Sequence, residues 1–155
     1  MRNFQLPGRS PAFSKQGMVA TSHPIACTVG IEILKRGGNA IDAAIAMSFV
    51  LPICEPQSTG LFGDVFAMIK LSNSDNIIGL NGSGKAPMKI SSEVLRGNGL
   101  SKIPEDGVES ITMPGAIAAL ESLNEKYGTF DLNQLTKPAI DYATNGIVIS
   151  PRVAF

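Results

Sequence analysis

Residues 79–87 read GLNGSGKAP, and against the phosphate-loop pattern G-x-x-x-x-G-K-[ST] they match every required position except the last. Ile77 and Ile78 stand just upstream, where a strand would deliver such a loop. The chemistry needs a Ser or Thr hydroxyl for magnesium after the lysine, and a helix whose N-terminal N–H groups face the phosphates. Ala86 has no hydroxyl, and Pro87 turns Ala86 away from helical geometry. The residues therefore argue against a nucleotide site and leave a glycine-rich turn at a strand end.

Other reactive groups are equally unpartnered in the sequence. His23 precedes Pro24 with no second catalytic group at a readable spacing, and reads as a packing or capping residue. Ser58 and Thr59 precede Gly60 without the G-x-S-x-G elbow of an activated serine, and Thr112 has no neighbouring base. Cys27 and Cys54 sit in separate apolar segments without the Cys or His neighbours of a metal site, which favours buried free thiols over a disulfide. No triad, metal-ligand set or cofactor motif assembles, so no metal and no cofactor is expected.

The chain that must position these groups has 155 residues, 44% hydrophobic and 17% charged, a composition that folds as one domain with a real core. Thirteen basic and thirteen acidic residues cancel, which removes the electrostatic footprint of a nucleic-acid or anionic-membrane partner. The N-terminus has no apolar core of signal-peptide length, and the longest apolar stretch, 41–53, is interrupted by Asp42, Ser48 and Pro52. With Met1 as the true start, a cytoplasmic location is expected.

Residues 1–16, with Pro7, Gly8 and Pro11, show no period and read as an extended arm. A short strand is predicted at 18–21, then a helix over about 24–36 that Ser22 can cap, with Pro24 in the first turn and Gly37 and Gly38 as a left-handed stop. Asn39 can cap a second helix with Asp42 in its first turn, apolar almost all round and therefore buried. Breakers fill 52–64. The run 65–71 is apolar on both alternating faces until Lys70, as for a strand lying between two layers, and pairs through the turn 72–76 with the strand that ends in NGSGKAP. Helices follow near 91–96, after Pro114 up to Gly128, and over 131–146, the last kinked or divided at Pro138.

Four blocks taken together resemble the gamma-glutamyltransferase (gamma-glutamyltranspeptidase) family, including its acylase-like and amidase-like members. They are GMVATSHPIACTVGIEILKRGGNAIDAAIAM, EPQSTGLFGDVFAMI, LNGSGKAP and ITMPGAIAALESLNEKYGTFDLNQLTKPAIDYATNGIVIS, covering residues 17–155 in the family's order and spacing. The resemblance implies an α+β fold: part of a four-layer αββα N-terminal-nucleophile hydrolase sandwich, incomplete in this chain. Residues 17–155 would be the N-terminal portion of the large subunit of a longer precursor that cuts itself to free an N-terminal threonine. That threonine would be nucleophile and base at once, cleaving an amide through an acyl-enzyme and passing the acyl group to water or an amine. It is expected outside this chain, which alone would be inactive and would expose apolar surface made to meet its partners, the rest of the large subunit and the small subunit.

The same resemblance marks Asn81, Gly82 and Ser83 as substrate-binding. Typical gamma-glutamyl members carry Asp-Gly-Arg-Glu-x-Ala-Pro here, the arginine binding the substrate's alpha-carboxylate. This chain has Ser83 at the arginine position, and serine cannot make the bidentate, charge-assisted contact. The expected substrate is a small-molecule amide or gamma-glutamyl compound, with strict gamma-glutamyl specificity placed in doubt; Lys85 reads as solvated. Phe62, where many members carry glycine, is read as filling a core in preference to narrowing a pocket. The competing reading is a non-catalytic truncated domain with a structural or association role.

Overall fold

The computed structural model describes residues 11–151, 153 and 154. The predicted arm falls mostly on residues 1–10, outside them; residues 11–16 are exposed and form neither helix nor strand. Helices α1 (Pro24–Lys35) and α2 (Ala40–Cys54) lead into the hairpin β1 (Val65–Lys70) and β2 (Ile77–Gly82), followed by α3 (Ser92–Gly97), α4 (Ala116–Tyr127) and α5 (Leu132–Asn145). The mixed helix-and-strand class is as expected. Among the described residues the sheet has only two strands, antiparallel, with Val65 opposite Gly82 and Lys70 opposite Ile77.

Helix α2 is the hub, packed against α1, α5 and α4, while α4 also supports both strands. Its run of apolar side chains on every side predicts such a central position. Val29 and Ile33 of α1, Ile45 and Val50 of α2 and Leu135 of α5 are almost fully buried, each contributing about 1.5–3 kcal/mol of apolar burial. Pro52 lies inside α2 in its last turn, so the helix runs further than the breaker-rich sequence suggests. Helix α5 likewise continues through Pro138 as one element and is not divided.

Helix α1 is capped by His23, whose Nδ1 accepts the Ile25 N–H at 3.3 Å. Ser22, expected to cap, instead donates its hydroxyl to Glu55 Oε2, linking the start of α1 to the end of α2. The stop is as read, with Gly37 at φ 97°, the left-handed region that favours glycine. No strand forms at 18–21, which leaves the sheet at its two members.

Asp42, in the first turn of α2 as expected, is fully buried at 0% exposure. As a capping box, Asn39 Oδ1 accepts from the N–H of Ile41 and Asp42, while Asp42 Oδ2 accepts from Asn39 N–H at 2.8 Å. The carboxylate also accepts the N–H groups of Thr129 at 3.0 Å and Phe130 at 3.4 Å, 87 and 88 residues away. Asn39 Nδ2 donates to Tyr127 O at 2.6 Å. One Asn-x-x-Asp pair thus caps α2 and clamps the turn between α4 and α5.

Strand β1 has one of its two apolar faces covered. Val65, Ala67 and Ile69 face the helices, but Phe66 and Met68 are 66% and 79% exposed, so one face of the strand is uncovered by the described residues. A groove of about 660 Å³ runs past β1, lined by residues 65–72 together with Ala44 and Ser48 of α2 and Leu120 and Leu123 of α4. Because β2 occupies the other side, β1 has an edge that no strand among the described residues pairs with. Phe62, expected in a core, is 80% exposed. It sits on the bend before β1 and packs into nothing described.

Both cysteines are free, Cys54 buried and Cys27 half-buried. Burial pushes the Cys54 thiol above its ordinary 9.0, and the Glu55 carboxylate next to it adds to the rise. Above that ordinary value the unfolded chain has lost a proton that the folded chain keeps, so stability falls as pH rises there and is untouched below. Cys54 is accordingly expected to resist iodoacetamide in the folded protein at about pH 8 and to be alkylated on unfolding, read by peptide mass spectrometry. Alkylation of Cys54 in the native state at the rate of a free thiol would contradict its burial.

Candidate functional site

The hairpin register decides what surrounds the turn at residues 81–84. With Val65 opposite Gly82, one step outward places Asp64 beside Ser83, so the GD that precedes β1 meets the NGSG that ends β2. Asp64 Oδ1 accepts the Gly84 N–H at 2.7 Å. Within the turn, Asn81 Oδ1 accepts both the Ser83 N–H at 3.0 Å and the Ser83 hydroxyl at 2.7 Å. The two sequence-predicted side chains are therefore joined, and Asn81 and Ser83 are both exposed. Gly82, between them, is half-buried.

A second segment locks the same turn from the other side. Gly63 O accepts the N–H groups of Gly115 and Ala116 at 3.1 and 3.0 Å, and Lys85 O accepts that of Met113 at 2.9 Å. The approach is close enough to require glycine: a Cβ on Gly82 would come within 2.8 Å of Val65 O, one on Gly84 would collide with Met113 O, and one on Gly115 with Gly82 O. Gly79 meets nothing of the kind. Of the two glycines at phosphate-loop positions, Gly84 is therefore kept by this close approach, and with Gly82 and Gly115 it lets the β2 end and the start of α4 touch. No helix follows Lys85 until α3 at Ser92, so the nucleotide reading stays excluded.

Next to the turn lies a depression of about 360 Å³, lined by Ser58, Thr59, Gly63 and Asp64 from the pre-β1 segment, by Ser48 and Leu51 of α2, and by Ala116 of α4, among others. Its polar side chains are three hydroxyls, of Ser48, Ser58 and Thr59, and the Asp64 carboxylate. No base is aimed at these hydroxyls among the described residues: Ser48 Oγ donates to Ala44 O at 2.8 Å and Thr59 Oγ1 to Glu55 O at 3.1 Å. Lys85 is exposed and makes no ion pair with a described residue. Among the described residues no three His, Cys, Asp or Glu side chains gather to hold a metal, and no helix is long and apolar enough to cross a membrane. The arrangement offers hydrogen bonds from neutral groups to a small polar ligand. Asp64 is the residue sequence reasoning passed over, because it is the observed register, with Lys70 opposite Ile77, that sets it beside Ser83.

The fold as a whole resembles parts of solved gamma-glutamyltranspeptidases and acylases. The gamma-glutamyltranspeptidase of Helicobacter pylori superposes with a TM-score of 0.85 at 39% identity, over 94% of this chain and 42% of that one. A cephalosporin acylase from Bacillus halodurans gives 0.82 at 40% identity, over 96% of this chain and 29% of that one. In sequence, the glutathione hydrolase-like YwrD proenzyme of Bacillus subtilis (strain 168) is 37% identical over 134 residues, 86% of this chain and 25% of that protein. The family model for gamma-glutamyltranspeptidase matches residues 26–155, and the chain belongs to that family. It spans about a quarter of the length of the curated relatives it matches.

Proposed function

We propose that this chain is the N-terminal part of the large subunit of a self-cleaving amidohydrolase or acyltransferase, and that its 81–84 turn forms one wall of the acyl pocket. The observation that carries the reading is Ser83, tied to Asn81 in a neutral pair at the position where typical gamma-glutamyl members hold a carboxylate-binding arginine. A neutral pair favours a small amide without a carboxylate at that end, as in the acylase-like branch. The similarity to an acylase at 40% identity supports this branch as well as the gamma-glutamyl one.

In this account the nucleophile is the threonine freed by self-cleavage, in the portion of the precursor beyond these residues. Its Oγ bonds to the amide carbonyl carbon while its own α-amine takes the hydroxyl proton and returns it to the departing amine; water or a second amine then attacks the acyl-enzyme and releases the acid or a new amide. The uncovered face at Phe66 and Met68, and the edge of β1 that no described strand pairs with, are where the remainder of the precursor would complete the sandwich. A cytoplasmic location remains part of the proposal.

The class is tested on the complete precursor. It should split into two chains, and brief incubation with a p-nitroanilide amide should add the acyl mass to the N-terminal threonine of the smaller one, read by mass spectrometry. An uncleaved precursor that releases no nitroaniline would favour the non-catalytic reading.

A further inference from the structure

Asp64 lies in no core and in no ion pair with a described residue, yet its carboxylate reaches across the hairpin end to the Gly84 N–H at 2.7 Å. Asp64 is exposed, so water could satisfy both partners if the bond broke, and the bond adds little to stability. What it does fix is direction. Gly84 is the first residue beyond the Asn81–Ser83 pair, and a glycine there has no side chain of its own to restrict the backbone. Gly63, the residue before Asp64, is held in turn, since its carbonyl accepts two N–H groups at the start of α4. The carboxylate is thus anchored from behind and grips the turn in front.

We propose that Asp64 is a positioning residue for substrate recognition: it sets the 81–84 turn so that the Asn81 Oδ1 is occupied by Ser83 and the Asn81 amide group is left free to donate to a substrate's acyl end. The proposal rests on the reading of this turn as a pocket wall. Its effect falls on binding of the acyl donor, since Asp64 touches no reacting atom and the self-cleaving threonine lies elsewhere. The same carboxylate puts negative charge beside the turn, which acts against donors that carry a carboxylate there and in favour of neutral ones.

The test uses the complete, self-cleaved precursor and a short neutral acyl p-nitroanilide. Asp64→Ala should raise KM about tenfold, the scale of a lost hydrogen bond to a charged group, with kcat within about twofold and thermal midpoint nearly unchanged. Asp64→Asn, which keeps a carbonyl oxygen for the Gly84 N–H, should restore KM to within about threefold of the starting value. An unchanged KM in Asp64→Ala, or a loss confined to kcat, would overturn the role. Should Asp64→Ala fail to mature, Asp64→Glu, with the carboxylate displaced by a methylene, takes its place, and an unchanged KM there overturns the role as well. Asn81→Ala, measured in parallel, separates the two levels: a raised KM there beside a normal Asp64→Ala rejects Asp64 alone, whereas an unchanged KM in Asn81→Ala rejects the pocket wall and Asp64 with it.

Discussion

Replacing Asp42 by alanine is expected to loosen the junction of α2, α4 and α5 by about 2–4 kcal/mol. The carboxylate is at 0% exposure and accepts the N–H groups of Asn39, Thr129 and Phe130. Alanine would leave those donors, on half-buried Asn39 and Phe130 and exposed Thr129, without this acceptor, at about 1–3 kcal/mol for each one that water does not reach, and would remove the charge that answers the positive end of α2. Asparagine should recover part of the loss, because one carbonyl oxygen remains while its amide hydrogens face donors. Hydrogen exchange in the complete precursor reads the effect directly: Thr129 and Phe130 amides should exchange about a hundredfold faster or more in the alanine variant. Unchanged protection at those two amides would show that the clamp is dispensable.

The second large effect concerns substrate choice. Ser83→Arg, made in the complete precursor, should raise kcat/KM for a gamma-glutamyl p-nitroanilide by about 10–100-fold, the value of one charge-assisted contact to a carboxylate. The same change should lower the rate on a neutral short-acyl anilide, because arginine breaks the Ser83 hydroxyl bond to Asn81. Ser83 is exposed, so the longer side chain need not displace a core. A variant that gains nothing on gamma-glutamyl donors would remove Ser83 from the specificity account.

The parts of this molecule that were legible in its sequence are those governed by local rules. Gly37 stops α1 at positive φ, Asn39 with Asp42 starts α2, and the alternation at 65–71 and 77–82 pairs as a hairpin. The sequence says less where distant residues decide. The outer face of β1 is apolar at Phe66 and Met68, and from sequence it looks covered; nothing among the described residues covers it, and on the proposed function its cover comes from elsewhere in the precursor. Pro52 falls among residues that read as breakers and Pro138 as a kink or division, but α2 and α5, packed on each other, each include the proline within one continuous helix. Asp42 looked like an ordinary first-turn carboxylate because its other partners, Thr129 and Phe130, lie far along the chain.

At the site, sequence supplied the identities and structure supplied the joins. Asn81 and Ser83 stand out through the family resemblance, and they are hydrogen-bonded to each other. Why the turn holds so many glycines could not be read from the turn itself, since the reason lies in Val65, Met113 and the start of α4 pressing against it. The lysine that makes the segment imitate a phosphate loop is exposed, with a carbonyl engaged by Met113 and no helix behind it.

The most direct test of the whole account is the ratio of kcat/KM for a short neutral acyl p-nitroanilide to that for gamma-glutamyl p-nitroanilide, measured on the unaltered, self-cleaved protein. The neutral pair at Asn81 and Ser83 predicts a ratio above unity. A clear preference for the gamma-glutamyl donor would contradict it.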